Sequence, residues 1–344
     1  MFLLRDPAEQ VKLGGSVDDA GEPQLRNFVR SRSVAVHYVL SLSIALIVIG
    51  VQIELALRNP DLAKMIPDLW KWVDVHRVYI NIVSIARFAA EGHAVAFLIF
   101  VFASAPSVAA IIVSSVGFGP KGLATLLGRF KPWASEADRP RALLAYLLML
   151  AVFLGGLALC LYLVVKEGKA SDYGLALDNF GGSLLTFIPL AVLGAFLDEG
   201  GSLEELGWRG FVLPQLQAKL GSPLRATIVL AVIWWSWHLP RDIPGLIGGE
   251  NLQQFAINQA IFFSLIVALA IVATCMVNMT GGSVLPAIFI HGGTNVWSKG
   301  VLTHGVHGVL TPALDVRTLI VYGLAVVVLC VAGPRLAWRP AAVD

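Results

Sequence analysis

Charged residues are scarce in this chain: Asp, Glu, Lys and Arg make up 14% of its 344 residues, where a soluble globular domain carries about a quarter. That shortage excludes a water-facing surface of ordinary composition. Cysteine is scarce too. Cys160, Cys275 and Cys330 are odd in number and lie inside apolar stretches, so they supply neither a disulfide framework nor a paired-cysteine metal motif and read as small core residues. Net charge is only +2, without a dense Lys/Arg cluster interleaved with aromatics, which removes nucleic acid as a partner. The alternation of polar and apolar residues that marks a membrane β-strand is missing. Internal repeats and low-complexity segments are missing as well.

What the chain has in quantity is apolar sequence, 57% of all residues. It is gathered into runs at 34–57, 93–117, 142–165, 183–197, 226–239, 254–279, 283–298 and 317–333. Several reach the roughly 20 residues that span a hydrocarbon core, so we expect an all-α, polytopic transmembrane bundle of about eight helices. The runs at 183–197, 226–239 and 283–298 are short or interrupted, as tilted, extended or re-entrant pieces would be.

The organisation expected is a cytoplasmic arm over 1–33, transmembrane helices and loops over 34–165, a membrane domain with the site over 166–310, and a last helix with a short tail over 311–344. The polar start reads as an arm rather than a cleavable signal. Basic residues in short loops place the amino terminus and the loop with Lys121, Arg129, Lys131, Arg139 and Arg141 inside the cell membrane. Residues 58–91 disturb that scheme with five further Lys and Arg residues. Trp70, Trp72 and Tyr79 there suit an interfacial helix or a short soluble one.

Three polar clusters interrupt the second half. The first is Gly201-Ser-Leu-Glu-Glu-Leu-Gly-Trp-Arg-Gly210. Ser202 followed by Glu205 forms a capping box that predicts a helix start. On that helix Glu205 and Arg209 are four apart in the favourable order for an ion pair, leaving Glu204 unpaired. Both acids would also suit the positive end of a helix at a membrane surface. Gly200 and Gly201 would permit a turn taking this helix into the bilayer. The second cluster is Trp234-Trp-Ser-Trp-His-Leu-Pro240. Pro240 predicts that His238 sits in the last turn of its helix, sheltered by Trp234 one turn earlier, although an aromatic belt would look similar. The third cluster places His291 and Asn295 on one face of an apolar helix, with Gly292 and Gly293 allowing close approach. Polar groups inside a membrane are costly and mark functional sites, or else they hydrogen-bond one helix to another. Together the clusters hold the parts needed to activate a water, bind a developing oxyanion and protonate a leaving amine.

Glu-Glu-x-x-x-Arg at Glu204, Glu205 and Arg209, aromatic-x-x-x-His at Trp234 and His238, and His-x-x-x-Asn at His291 and Asn295 resemble the three motifs of one family. It is the CPBP family of CAAX proteases and bacteriocin-processing enzymes, also called Abi, whose eukaryotic relative is the Ras-converting endopeptidase. The resemblance runs over about residues 183–300, with Trp234 where Phe is usual; residues 1–140 lie outside it. It implies an intramembrane endopeptidase, seated in the lipid bilayer and acting on a peptide or protein in or near the membrane. Glu204 would be the base, Glu205 and Arg209 its support, and His238 would orient water or bind a metal. His291 and Asn295 would hold the oxyanion or complete a metal site. Zinc held by His238 and His291 with a Glu and a metal-free glutamate mechanism both stay open, since no His-Glu-x-x-His helix is present. His304 and His307 read as bystanders. The rivals are a transporter or scaffold, whose repeated halves are not visible, and a catalytically silent peptide-binding or immunity relative.

Overall fold

Lipid offers no hydrogen bonds, so a chain this apolar must pair its backbone within helices or closed barrels. The computed structural model describes residues 24–166, 177–178, 181–301 and 316–339; among the described residues all regular structure is helical. The helices are α1 (Gln24–Ser31), α2 (Ser33–Arg58), α3 (Met65–His76), α4 (Ile82–Ala90), α5 (Phe97–Leu127), α6 (Arg139–Lys166) and α7 (Leu184–Leu197). They continue with α8 (Glu199–Glu205), α9 (Leu213–Leu220), α10 (Pro223–Ile247), α11 (Leu252–Met279), α12 (Leu285–Asn295) and α13 (Val316–Ala332). A π-helical stretch, Leu206–Val212, joins α8 to α9, and another, Val296–Val301, follows α12.

Each of the eight apolar runs forms a helix: α2, α5, α6, α7, α10, α11, α12 and α13. Six stretches are long and apolar enough to cross a membrane: Ser33–Arg58, Ala94–Phe130, Arg139–Leu163, Leu184–Leu220, Leu252–Met279 and Val316–Arg335. The chain is an all-α, multi-pass integral membrane protein. Its outer surface agrees with lipid as solvent, since large aliphatic residues such as Leu147, Leu185 and Val331 stand exposed. The stretch 58–91 folds as the short helices α3 and α4, packed around Leu69, Val73, Ile85 and Phe88. Trp72 stacks on His76 and donates to Glu91 at 2.7 Å.

Helix α11 lies centrally, against α6, α10, α12 and α13. Its buried residues include Ala268, Ala270 and Ala273, small residues that let backbones close up where no hydrophobic effect drives helices together. Side-chain hydrogen bonds fasten the same contacts. Thr227 donates to Thr274 at 3.1 Å, Gln217 to Asn278 at 3.0 Å, and Asn278 to the Leu336 carbonyl at 2.9 Å. Helix α5 kinks at Gly119, whose φ of 68° is open to glycine, and packs along α2, α8 and the π stretch.

Gly292 sets the tightest approach near the site, because a Cβ there would collide with the Ala195 carbonyl of α7. Gly155 in α6 faces open space. Gly292→Ala should therefore destabilise by about 1–3 kcal/mol through overpacking, whereas Gly155→Ala should be neutral or stabilise by up to about 1 kcal/mol. Thermal unfolding in detergent measures both, and equal effects would show that α7 and α12 do not pack this closely.

Candidate active site

The apolar helix α7 stops where Asp198 turns extended, with φ −62° and ψ 133°. Asp198 is fully buried, and its Oδ1 caps α8 by accepting from the Gly201 N–H at 2.9 Å. This corrects the capping-box expectation: α8 starts at Glu199, and the Ser202 hydroxyl donates to the Phe196 carbonyl. A carboxylate buried at the end of an apolar helix needs donors, and the first turn of α8 provides one. Gly200 and Gly201 lie within the helix rather than making its turn. A Cβ on Gly201 would stand 2.7 Å from the Ile288 carbonyl oxygen, so it lets α8 approach α12 closely.

From this capped helix Glu204 and Glu205 point inward, 5% and 1% exposed. Glu205 Oε1 accepts from Arg209 Nη1 at 2.8 Å and from His291 Nδ1 at 2.9 Å. The Arg209 guanidinium also lies over the Trp234 ring, 4.3 Å from its centroid. Glu204 binds different partners. Its Oε2 accepts from the indole N–H of Trp234 at 2.8 Å and of Trp208 at 3.3 Å. Its Oε1 stands 4.0 Å from His238 Nε2, beyond a hydrogen bond and within the span one water can bridge.

The second cluster lies on α10, which runs through Pro240 and Pro244 to Ile247. The expectation that Pro240 ends the helix just after His238 is thus corrected. Proline in a packed membrane helix forfeits one backbone bond, and the neighbouring helices hold the rest in place. His238 Nδ1 lies 2.9 Å from the Trp234 carbonyl. A carbonyl can only accept, which assigns a proton to Nδ1; in the neutral ring the Nε2 lone pair then faces Glu204. Trp234 meets the His291 ring edge-on, centroids 5.2 Å apart. On α12, Asn295 Nδ2 donates to Asp198 Oδ1 at 2.9 Å.

Glu204, Glu205, Arg209, His238 and His291 thus meet in one place, drawn from α8, the π stretch, α10 and α12, and Asn295 is tied to the start of α8 through Asp198. Three participants escaped the sequence reading. Asp198 holds both Asn295 and the start of α8, and its one signal was an acid directly after an apolar run. Trp208 shares Glu204. His37 of α2, fully buried, stacks on Phe211, meets Trp208 edge-on and lies with Nε2 2.8 Å from the Pro106 carbonyl; no pattern in its apolar helix marked it. His304 and His307 lie outside the described residues.

Among the described residues, no three His, Cys, Asp or Glu side chains group closely enough to hold a metal ion. His238 and His291 each have one ring nitrogen fixed by a hydrogen bond, as metal-binding histidines do. Glu204 Oε2 is engaged by two indoles and Glu205 Oε1 by Arg209 and His291, so Glu204 Oε1, 4.0 Å from His238 Nε2, is the one carboxylate oxygen facing them. The set as placed does not match a zinc ligand shell.

Residues 181–297 match the model of the family described as Type II CAAX prenyl endopeptidase Rce1-like. A curated relative, CAAX prenyl protease 2 of Methanococcus maripaludis, is 33% identical over 111 residues, which is 30% of this chain. The chain spans 38% of that relative's length.

The shared carboxylate of Glu205 predicts a particular stability pattern. Glu205→Gln leaves the buried Arg209 charge uncompensated and should cost about 3–5 kcal/mol. Glu205→Gln with Arg209→Met removes both charges and should lose clearly less. Thermal unfolding of the two variants checks this, and an equal or larger loss in the double variant would refute the ion pair's role.

Proposed function

We propose that this chain, whose residues 181–297 match the Rce1-like CAAX endopeptidase model, is an intramembrane endopeptidase with Glu204 as its general base. The observation that carries this reading is the 4.0 Å gap between Glu204 Oε1 and His238 Nε2. A water in that gap donates one hydrogen to the carboxylate and the other to the imidazole lone pair, so its oxygen lone pair faces the substrate. Glu204 takes a proton as the new carbon–oxygen bond forms. The tetrahedral oxyanion accepts from His291, protonated beside the Glu205 carboxylate, and from the second amide N–H of Asn295. Glu204 then returns its proton to the departing amine, completing hydrolysis of the peptide bond.

Roles divide along the hydrogen bonds. Glu205 and Arg209 are positioning residues, Trp234 and Trp208 hold the base, and Asp198 holds Asn295. The route uses carboxylate, imidazole and amide alone; a divalent metal would need Glu204 or a residue outside the described set to join His238 and His291. The substrate proposed is a peptide or protein tail presented at the membrane. A prenylated carboxyl-terminal tail is the one that the relative's name suggests. The membrane proposed is the cell's inner membrane, with the amino terminus on the cytoplasmic side, on the strength of the basic loops.

Glu204→Gln should lower cleavage by about 10²–10⁴-fold, the usual contribution of a general base, with little change in thermal stability. Comparing peptide termini in membranes from wild-type and Glu204→Gln cells reads the activity without a known substrate, and identical termini would sink the protease reading. Trp234→Phe removes one hydrogen bond to the base and should slow turnover by about tenfold or more without abolishing it. Cleavage by the purified protein should survive a strong zinc chelator; loss on chelation, restored by zinc, would replace the metal-free route with a metal-dependent one.

A further inference from the structure

Helix α12 has two working faces. His291 and Asn295 lie on one, and Phe289, Gly293 and Trp297 fall roughly opposite. That second face is the floor of a cavity of about 170 Å³, walled by α6 and α13 and completed by α11. The lining is almost wholly apolar, and its polar edge is limited to Thr294. Leu148 of α6 and Val327 of α13, 44% and 57% exposed, stand at its lip, so the cavity opens sideways between those two helices. In a bilayer that opening meets acyl chains.

One end of this groove approaches a basic surface. Arg141 lies seven residues before Leu148 on α6, a rise of about 10 Å, and Arg335 follows Val328 by seven residues, in the 3-10 turn Gly333–Arg335 just beyond the end of α13. The two segments are tied together, because Arg141 Nη2 donates to the Ala337 carbonyl at 2.7 Å, between Arg335 and Arg339. Arg139 adds a further positive charge, partly offset by Glu136 at 3.5 Å and by nearby Asp138. The polar zone of one leaflet is about 5–7 Å deep, so a phosphate at these arginines leaves its chains level with the groove.

We propose that this groove and its arginines form a binding site for an anionic glycerophospholipid, with an acyl chain against α12 and the phosphate at Arg141, Arg335 and Arg339. The arginines at the end of the groove select the headgroup, and the apolar walls hold the chain. The site is separate from Glu204 and His238, and it does not depend on the chain being a peptidase.

Native mass spectrometry of the full chain, released from detergent with phosphatidylglycerol or phosphatidylcholine of identical chains, tests this. Wild type should retain one phosphatidylglycerol at least fivefold more than phosphatidylcholine. Arg335→Gln with Arg339→Gln, both at exposed positions, should reduce phosphatidylglycerol retention to the phosphatidylcholine level. Val328→Trp should fill the groove and lower retention of both lipids, and Val327→Trp at the exposed lip does the same with less risk to packing. Equal retention of the two lipids by wild type would overturn the proposal, as would undiminished phosphatidylglycerol in the arginine and tryptophan variants. Displacement of the lipid by an isoprenoid alcohol or by a second copy of the chain would overturn it in favour of that occupant.

Discussion

One carboxylate oxygen, Oε1 of Glu205, holds the centre of this protein together by accepting from both Arg209 and His291. Charges inside a membrane are expensive and persist only when paired. This pairing brings α8 and its π extension against α12, and Arg209 draws in α10 by lying over Trp234. Burial of the four groups is therefore one event. The neighbouring Glu204 accepts from two indoles and faces one imidazole nitrogen across a gap. Two adjacent glutamates thus differ in their partners: one is shared by Arg209 and His291, the other by two indoles.

The same economy appears at Asp198, which caps α8 and fixes Asn295 with one oxygen. Around these knots the packing is tight where backbones must approach, at Gly201 and Gly292. The amino-terminal half, outside the matched family segment, is the backing of the site. His37 presses on Trp208 and Phe211 from behind, Pro106 lies against Gly207, and Ser107 donates to the Leu203 carbonyl at 2.5 Å. Glu204 is thus two side chains away from a helix that carries no motif.

Legibility in the sequence followed the range of the interactions. The helices at the eight apolar runs could be read, because burial in lipid is written as continuous hydrophobicity. The pair Glu205–Arg209 and the shared face of His291 and Asn295 could be read too, since helical spacing alone brings them together. Pro240 misled, because a local preference against helix was overridden by neighbours that the sequence does not place. Ser202 misled for a similar reason: Asp198, four residues earlier, took the cap.

What the sequence determined by itself was an all-helical membrane protein with three polar clusters in its second half. Composition and period are local properties, and they survive being read one residue at a time. Only the tertiary structure decided that Glu205 binds His291, eighty-six residues away, that Asp198 reaches Asn295, and that His37 stands behind Trp208. Those contacts depend on the directions in which helices cross, and crossing is set by small residues and buried charges acting between segments far apart in the chain.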